Sequence, residues 1–394
     1  MTKYESNFQK IIQAETISVT GQKDLTKFRE FQKLLAELFP HLWAATELED
    51  FHGSIVLRWK GKDDSKLPIM LMNHQDVVEE NGTWTHPAFG GEISDGKIWG
   101  RGTVDTKGGL WAMLQAGDDL AAEGYIPPRD VYFESGCNEE ISGDGAKEIN
   151  EVLGKRGLKF ALILDEGPGV SKNDDGSFSA QIGLGEKALT DIKFIARSAG
   201  GHASRPPKGQ ALVRLGRFMA AVEDNLDTIF PKKVNEQTGE MQQTSIAFTM
   251  AKGASGSNVL PTESYIIANM RSSHHQTADG SLKAITDFAK QFDIEYEVLD
   301  RGFTSVIADY SSDDCKMLKD AIMKMWPGVT ISPTIMTGCT DCHFMSALSD
   351  NPIRFSPFIY SKEQSASIHS VDENVDLSTL EPAVEFYKHI IKGD

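Results

Sequence analysis

The sequence predicts an α/β protein with a mainly parallel sheet, into which a second domain of α+β type is inserted. Apolar runs alternate with helical patterns over residues 1–185, and a β-α-β-β-α-β order follows over residues 186–304. The α/β pattern then returns over residues 305–394. A chain of 394 residues exceeds what one compact core usually holds, so about two domains are expected.

The first domain is predicted from helices and short buried strands. Residues 27–39 place apolar side chains at helical spacing, and Pro40 is expected to end that helix. Further helices are predicted at 109–123 and 145–153. The apolar runs around them are typical of buried strands and cover residues 67–72, 130–133 and 160–164. Such alternation indicates a sheet that is covered on both faces.

The inserted domain has the element order of a ferredoxin-like module. Gly183, Gly185 and Gly302 lie near its two ends, where a hinge needs a permissive backbone. Its predicted elements are strand 188–196, helix 209–224, strands 244–251 and 263–270, helix 280–292 and strand 295–299. A helix near 313–325, a strand near 353–357 and a last helix from residue 379 complete the first domain.

Charge and composition limit which binding partners and which cellular location are expected. The net charge of -17 would repel phosphate backbones and anionic lipids, so neither nucleic acid nor membrane is an expected partner. The polar N-terminal residues lack the apolar core of a signal peptide, and a cytoplasmic location is expected. Four cysteines are too few for a disulfide framework, and all are interpreted as reduced thiols: Cys137, Cys315, Cys339 and Cys342.

Metal-capable side chains follow each of the three strands predicted in residues 1–185. In open α/β sheets, ligands bind at this carboxyl edge. Asp105 adds a further acid in a Gly-rich stretch that lacks the spacing of a phosphate-binding P-loop. The side chains after the strands are His74 and Asp76, then Glu139 and Glu140, then Asp165 and Glu166. Together they predict a metal site.

The spacing within these pairs suggests distinct roles. His74 and Asp76 are two residues apart and face the same side of an extended chain, so Asp76 can orient the imidazole. Glu139 and Glu140 are adjacent, and their side chains should diverge. One glutamate can then bind a metal while the other acts as the general base of a hydrolysis.

Motifs along nearly the whole chain resemble those of one enzyme family. They are 74–78, 84–89, 96–107, 138–140, 164–167, 200–204 and 368–369. The family is that of the co-catalytic zinc amidohydrolases, which includes aminoacylase, glutamate carboxypeptidase, acetylornithine deacetylase, succinyl-diaminopimelate desuccinylase and the carboxypeptidase S group. The resemblance implies a mixed sheet flanked by helices, with the insert serving as a lid and dimerisation domain.

The resemblance also implies residue roles. His74 would bind one metal, Asp105 would bridge both, and Glu140 and His369 would hold the second. Asp165 and Glu166 are both candidates to complete the first metal's ligands, and Asp165 is preferred. Asp76 would orient His74, and Glu139 would be the general base. The peptide bond after Asp105 is expected to be cis.

Three residues of the insert match substrate-contacting positions of the family. His202 would reach a neighbouring subunit's site and steady the oxyanion, whereas Asn258 and Arg271 would help to bind substrate. Two departures stand out. His343 stands where relatives often have an arginine that binds a substrate carboxylate. His343 is therefore expected to contact substrate, with a different specificity. Asp372 and Glu373 stand where Asn-Glu is usual, without a clear consequence.

The expected function is hydrolysis of amide bonds with two divalent metal ions. Zinc is expected, and manganese or cobalt would suit the same ligands. A dipeptidase or carboxypeptidase acting on short peptides is the favoured activity, with an N-acyl amino acid deacylase as the alternative. A non-catalytic binding protein is a remote third possibility, because Glu139 and the ligands are all present. A homodimer through the insert is expected.

Overall fold

A computed structural model describes residues 1–141 and 143–394. The chain forms two compact units. The first comprises Met1–Gly185, Val306–Thr334 and Thr340–Asp394, and the second comprises Glu186–Ser305 and Ile335–Cys339. The segment Ile335–Cys339 was expected in the first domain and belongs to the second unit. Its backbone explains this, because the Lys187 N–H donates to the carbonyl of Met336 at 2.9 Å.

The helices and strands are numbered in chain order. The helices are α1 (Lys3–Gln13), α2 (Thr26–Leu38), α3 (Pro40–Ala45), α4 (Lys107–Ala122), α5 (Asp144–Lys155), α6 (Ala211–Asp224), α7 (Leu226–Ile229), α8 (Ala278–Lys290), α9 (Asp313–Met325), α10 (Lys362–Ala366) and α11 (Leu380–Lys392). Short 3-10 helices span Glu139–Ile141, Asp341–Ala347 and Leu377–Thr379. Among the described residues, no helix is long and apolar enough to cross a membrane.

The strands are β1 (Thr46–Phe51), β2 (Ser54–Trp59), β3 (Ile69–Met72), β4 (Glu92–Ser94), β5 (Lys97–Trp99), β6 (Val131–Ser135), β7 (Leu162–Asp165), β8 (Val170–Lys172), β9 (Phe178–Glu186), β10 (Ala188–Arg197), β11 (Gly201–His202), β12 (Lys233–Val234), β13 (Met241–Gln242), β14 (Ser245–Lys252), β15 (Val259–Leu260), β16 (Glu263–Ser272), β17 (Glu295–Arg301), β18 (Thr330–Met336), β19 (Pro352–Arg354) and β20 (Asn374–Asp376).

The large sheet of the first unit is mixed. Its order is β1-β2-β6-β3-β7-β19-β9-β18. The central strands β6, β3, β7 and β19 run parallel to one another, whereas β1, β2 and β9 pair antiparallel with their neighbours. The expectation of a mainly parallel sheet therefore holds only at the centre. The sequence analysis missed both strands of the β1–β2 hairpin. Strand β1, with the sequence TELEDF, is polar and largely exposed, whereas β2, with the sequence SIVLRW, is almost wholly buried and was overlooked.

Side chains of the central strands alternate between two covered faces. Met70, Met72 and Tyr132 pack in one core cluster with Ile149 of α5. Phe133, the next residue after Tyr132, points to the opposite face, where Gly117 of α4 approaches its ring. Because both faces are covered, the polar residues that follow these strands gather at the open carboxyl edge.

The second unit contains a four-stranded antiparallel sheet. Its order is β14-β16-β10-β17, as in a ferredoxin-like module with β10 first in the chain. Helices α6 and α8 bury their apolar sides in a core that includes Phe194, Phe218 and Ile285. Phe218 is fully buried and its ring lies 4.9 Å from that of Phe194.

The end of the helix before Pro40 is confirmed, and Pro40 has a second role that was not expected. Helix α2 ends at Leu38, and Pro40 occupies the first turn of α3 rather than acting only as a stop. Proline suits that position because the first turn of a helix leaves its N–H groups without intrahelical partners.

Candidate metal centre

Three neighbouring strands deliver the site residues to one edge of the sheet. His74 lies two residues beyond β3, and Glu166 directly follows β7. Glu139 and Glu140 form the 3-10 helix that follows β6. Since β6, β3 and β7 are adjacent and parallel, their carboxyl ends meet. The sequence-based expectation of a shared edge is confirmed.

The first group of ligand atoms surrounds His74. Its Nε2 lies 3.0 Å from Oδ1 of Asp105 and 3.3 Å from Oε1 of Glu166. The ligand atoms of these three residues all lie within 4.8 Å of one another. The His74 side chain is only 2 % exposed, and its Nδ1 lies 3.0 Å from the carbonyl oxygen of Asp76. That contact directs Nε2 toward the two carboxylates.

The second group shares Asp105. Nε2 of His369 lies 3.1 Å from the other carboxylate oxygen of Asp105, Oδ2, and 3.0 Å from Oε2 of Glu140. These three residues also bring ligand atoms within 4.8 Å of one another. One carboxylate thus faces both groups, with one oxygen toward each. This is the arrangement of a bridging ligand between two cations.

The charge and donor set fit two divalent cations. Burial raises the pKa of Glu166 to about 8 and also raises that of Glu140, because a low-dielectric site disfavours ionised carboxylates. Oε1 of Glu140 is buried and accepts no hydrogen bond from the described residues. Imidazole and carboxylate together suit zinc and related metals. Cations bound here would compensate the clustered negative charge and engage that oxygen.

The sequence match to a known family agrees with this geometry. The model of peptidase family M20/M25/M40 matches residues 70–393. The chain belongs to this family. The resemblance identified from the motifs is confirmed, and the protein is a metal-dependent hydrolase.

Individual relatives and structures extend the comparison. The probable carboxypeptidase S-like 2 of Dictyostelium discoideum is 29% identical, over 94% of this chain and 80% of the relative. The N-fatty-acyl-amino acid synthase/hydrolase PM20D1.1 of Danio rerio is also 29% identical, over 99% of this chain and 85% of the relative. The M20 family metallo-carboxypeptidase Sso-CP2 from Sulfolobus solfataricus superimposes with a TM-score of 0.75 at 17% identity, covering 100% of this chain and 99% of that chain.

In this M20-family enzyme, the acid after β7 that faces His74 is Glu166. Asp165, the residue preferred from the sequence, is 3% exposed and directs its carboxylate away from the ligand group. Its Oδ1 accepts the Glu166 N–H at 2.9 Å, and its Oδ2 accepts the Cys342 N–H at 2.8 Å. Of the two acids, only Glu166 brings a carboxylate oxygen into the group with His74 and Asp105. The preference for Asp165 is corrected to Glu166.

Substitution of the two acids should separate their roles. Glu166→Gln is expected to weaken the first metal equivalent by more than about 100-fold, because it removes a charged ligand atom. Asp165→Asn should weaken it by about 10-fold or less, because it disturbs only the backbone around the ligand. Isothermal titration of the metal-free proteins measures both. The opposite order of losses would restore Asp165 as the ligand.

Asp76 connects His74 to the Glu139–Glu140 turn. Its carboxylate accepts the N–H groups of Glu139 and Glu140, both at 3.2 Å, and the Ser18 hydroxyl at 2.6 Å. The two glutamate side chains diverge as expected. Oε2 of Glu139 lies 3.9 Å from Nε2 of His74, whereas Glu140 contacts His369. Burial raises the pKa of Glu139 well above its usual range.

The loop that carries Asp105 is held by a residue whose role the sequence analysis missed. Glu373 accepts hydrogen bonds from the N–H groups of Val104 and Asp105, at 2.8 and 3.1 Å, and pairs with Arg101. The Asp105–Thr106 peptide bond is cis, as the resemblance implied. Gly102 has a φ of 90°, a conformation that favours glycine. The sequence signal was the Asp372-Glu373 pair, which follows His369 and stands where Asn-Glu is usual in the family, but its consequence was not recognised.

Three other expected site residues lie in the second unit. His202, on β11, is exposed, and its Nδ1 lies 2.8 Å from the hydroxyl oxygen of Ser204. Asn258 is exposed, and its carbonyl accepts the Ala203 N–H at 2.9 Å. Arg271, on β16, donates from Nε to Asn269 at 3.1 Å and from Nη1 to Cys339 at 3.4 Å. His202, on β11, and Asn258, directly before β15, therefore lie close together in one unit, because β11 and β15 pair.

His343 lies in the first unit, in the 3-10 helix Asp341–Ala347. It is 6% exposed, and its ring meets that of Phe344 edge to face, with centroids 5.7 Å apart. An imidazole is shorter than the arginine that the family pattern would place here and lacks the five N–H donors of a guanidinium. If His343 contacts substrate, its side chain would extend a shorter distance from the backbone than an arginine would.

Proposed function

We propose that this M20-family enzyme is a dinuclear dipeptidase or carboxypeptidase that hydrolyses the amide bond of a short peptide. The observation that carries the proposal is the pair of ligand groups that share Asp105, with Glu139 beside them. His74, Asp105 and Glu166 would hold one divalent ion, and Asp105, Glu140 and His369 would hold the other. Zinc is proposed as the native metal, with manganese and cobalt as alternatives.

Glu139 is proposed as the proton carrier of the reaction. When bound, the two metal ions would polarise the amide carbonyl and lower the pKa of the attacking water. Glu139 accepts a proton from that water as its oxygen bonds to the carbonyl carbon. It then returns the proton to the nitrogen of the leaving amine as the C–N bond breaks. One water and one amide thereby give a carboxylic acid and an amine, and transfer of the acid's proton to the amine leaves a carboxylate and an ammonium. Asp76 meanwhile keeps His74 and Glu139 in place.

The second unit is proposed to act as a lid and dimerisation domain. Within it, His202 would stabilise the oxyanion in a neighbouring subunit's site, and Asn258 and Arg271 would bind substrate. Support comes from the Gly200-Gly201-His202 motif and from the exposure of His202 and Asn258. In the first unit, His343 is proposed to contact substrate in place of the family arginine. A homodimer is therefore part of the proposal, and light scattering coupled to size-exclusion chromatography tests it.

A second candidate function is hydrolysis of N-acyl amino acids. Two observations favour it: the relative from Danio rerio is named an N-fatty-acyl-amino acid synthase/hydrolase, and so is a human relative at 28% identity over 97% of this chain. The same ligands and the same base would serve this reaction.

The two functions are separated by the substrates that the enzyme prefers. Zinc-loaded protein would be assayed on dipeptides, short peptides, N-acetyl amino acids and N-acyl amino acids with long chains. A kcat/KM at least about 10-fold higher on peptides supports the peptidase proposal. A preference of the same size for acyl amino acids would replace it with the second candidate. Glu139→Gln protein from the same preparation serves as the control for contaminating activity.

A cytoplasmic location is retained as a proposal. It is supported by the four cysteines, all of which are free in the structure. Reduced thiols of this kind are usual in a reducing compartment. Cell fractionation of the native source would test it.

A further inference from the structure

Glu373 is buried within the loop that presents Asp105. Its side chain is 0% exposed and pairs with Arg101, which is 1% exposed, at 2.9 Å. Its two oxygens also share the single N–H of Gly102, at 3.1 and 3.2 Å, and Oε1 accepts the N–H groups of Val104 and Asp105. The carboxylate thus receives three backbone amides and one guanidinium. Such charge-assisted bonds hold a backbone more firmly than neutral ones.

This cluster of bonds acts on Asp105 from its backbone side. The Asp105 N–H is fixed at 3.1 Å from Glu373, and the Asp105 carboxylate reaches His74 and His369 in the other direction. The backbone of Glu373 adds a further tie, because its carbonyl accepts the Gly100 N–H at 2.8 Å. The strand β20 that follows Glu373 pairs with β5, which precedes the loop. The loop is therefore held at both of its ends.

Glu373 also ends the loop that presents His369. This loop contains two non-glycine residues with left-handed backbone, His369 with a φ of 58° and Asp372 with a φ of 55°. Non-glycine residues rarely adopt this left-handed conformation, and they keep it where contacts with the surrounding structure hold it in place. Asp372 anchors one side of the loop by accepting the N–H groups of Thr85 and His86, at 2.7 and 3.1 Å. Glu373 anchors the other side to the Asp105 loop.

We infer that Glu373 is a positioning residue that sets the second metal position by joining the loops of Asp105 and His369. Two of the three ligands of the second group lie on loops that Glu373 holds. Of these two ligands, only Asp105 also belongs to the first group. The other residues of the first group, His74 and Glu166, follow the ends of β3 and β7. The inference rests on the proposed dinuclear function, and it assigns Glu373 no contact with substrate.

Glu373→Gln tests whether Glu373 affects the second metal position more than the first. Glutamine keeps the size and one acceptor oxygen but presents an NH2 group toward Arg101 and Gly102, which are both donors. The second metal equivalent is expected to bind about 10- to 100-fold more weakly, while the first changes by less than about threefold. Cobalt titration of the metal-free protein, followed by visible absorption, resolves the two steps. Metal content after gel filtration gives an independent count.

Asp372→Asn is the matched control. Asparagine retains the oxygen that accepts both amides, so both cobalt steps should match those of the unaltered protein. The inference is overturned if Glu373→Gln binds the second equivalent as tightly as the unaltered protein. It is also overturned if both equivalents weaken equally, since general damage to the scaffold would do that.

A further variant covers the case in which Glu373→Gln does not fold. Glu373→Asp keeps the charge that pairs with Arg101 but is one methylene shorter, so it should no longer reach the Val104 and Asp105 amides. The second cobalt step should weaken while the first remains, and an unaltered second step would contradict the inference. The two proposals also fail differently. If the unaltered protein binds fewer than one metal per chain, the proposed function fails, and the inference falls with it. If it binds two and Glu373→Gln does likewise, only the inference fails.

Discussion

Replacement of Glu139 by Gln is expected to lower kcat by about 10²- to 10⁴-fold while both metal ions remain bound. The amide of glutamine has nearly the shape of the carboxylate but cannot accept the proton of the attacking water. Glu139 lies 3.9 Å from His74 through Oε2, and it belongs to neither group of ligand atoms. The metals should therefore be retained. Steady-state kinetics and metal analysis of the same sample measure both parts.

Two variants serve as controls for this result. Glu151→Gln changes a glutamate of α5 that is 59% exposed, and it should leave kcat unaltered. Glu140→Gln changes the adjacent residue, which contacts His369, and should lower the content of bound metal. Activity retained by Glu139→Gln within a factor of about three would assign the base to another residue. Loss of metal from it would make Glu139 a ligand.

Removal of the metals is expected to abolish activity and to lower the unfolding temperature. Bound ions stabilise the folded state by mass action, by about 4 kcal/mol at a free concentration 1,000 times the Kd. Their loss leaves buried acids close together, as the raised pKa values of Glu139, Glu140 and Glu166 indicate. Chelation, followed by zinc back-titration with scanning calorimetry and activity assays, measures both effects.

The outcome of that titration has a clear threshold. Activity and unfolding temperature should rise together and level off near two zinc ions per chain. Fewer than one bound metal per chain after zinc loading would remove the dinuclear proposal. Glu139→Gln provides the matched control, because its unfolding temperature should rise with zinc as in the unaltered protein while its activity stays low. This separates stabilisation by the metals from catalysis.

Local sequence was sufficient to predict the edge of the sheet at which the site lies. His74, Glu139 and Glu166 follow buried apolar runs, and the structure shows those runs as the adjacent parallel strands β3, β6 and β7. Buried strands are readable because their apolar residues are continuous. The polar strand β1 and the short strands β4, β5 and β20 lack this signal, and the sequence analysis missed them.

The choice between Asp165 and Glu166 required the structure. Both are acids, and both follow the same apolar run, so spacing treats them alike. The difference is the direction of the side chain at the end of β7. Asp165 turns back onto the N–H groups of Glu166 and Cys342, and one of these lies 177 residues away along the chain. A contact at that separation has no local signal.

The sequence by itself determined the class of fold, the order of the ferredoxin-like insert and the residue types of a dinuclear site, because these follow from hydrophobic periodicity and from motifs within short segments. Only the tertiary structure decided that Glu166 rather than Asp165 joins the first group and that Glu373 holds the Asp105 loop. The physical reason is the same in each case. These features depend on distances between side chains that lie far apart along the chain, and those distances are set by how the loops pack at the edge of the sheet.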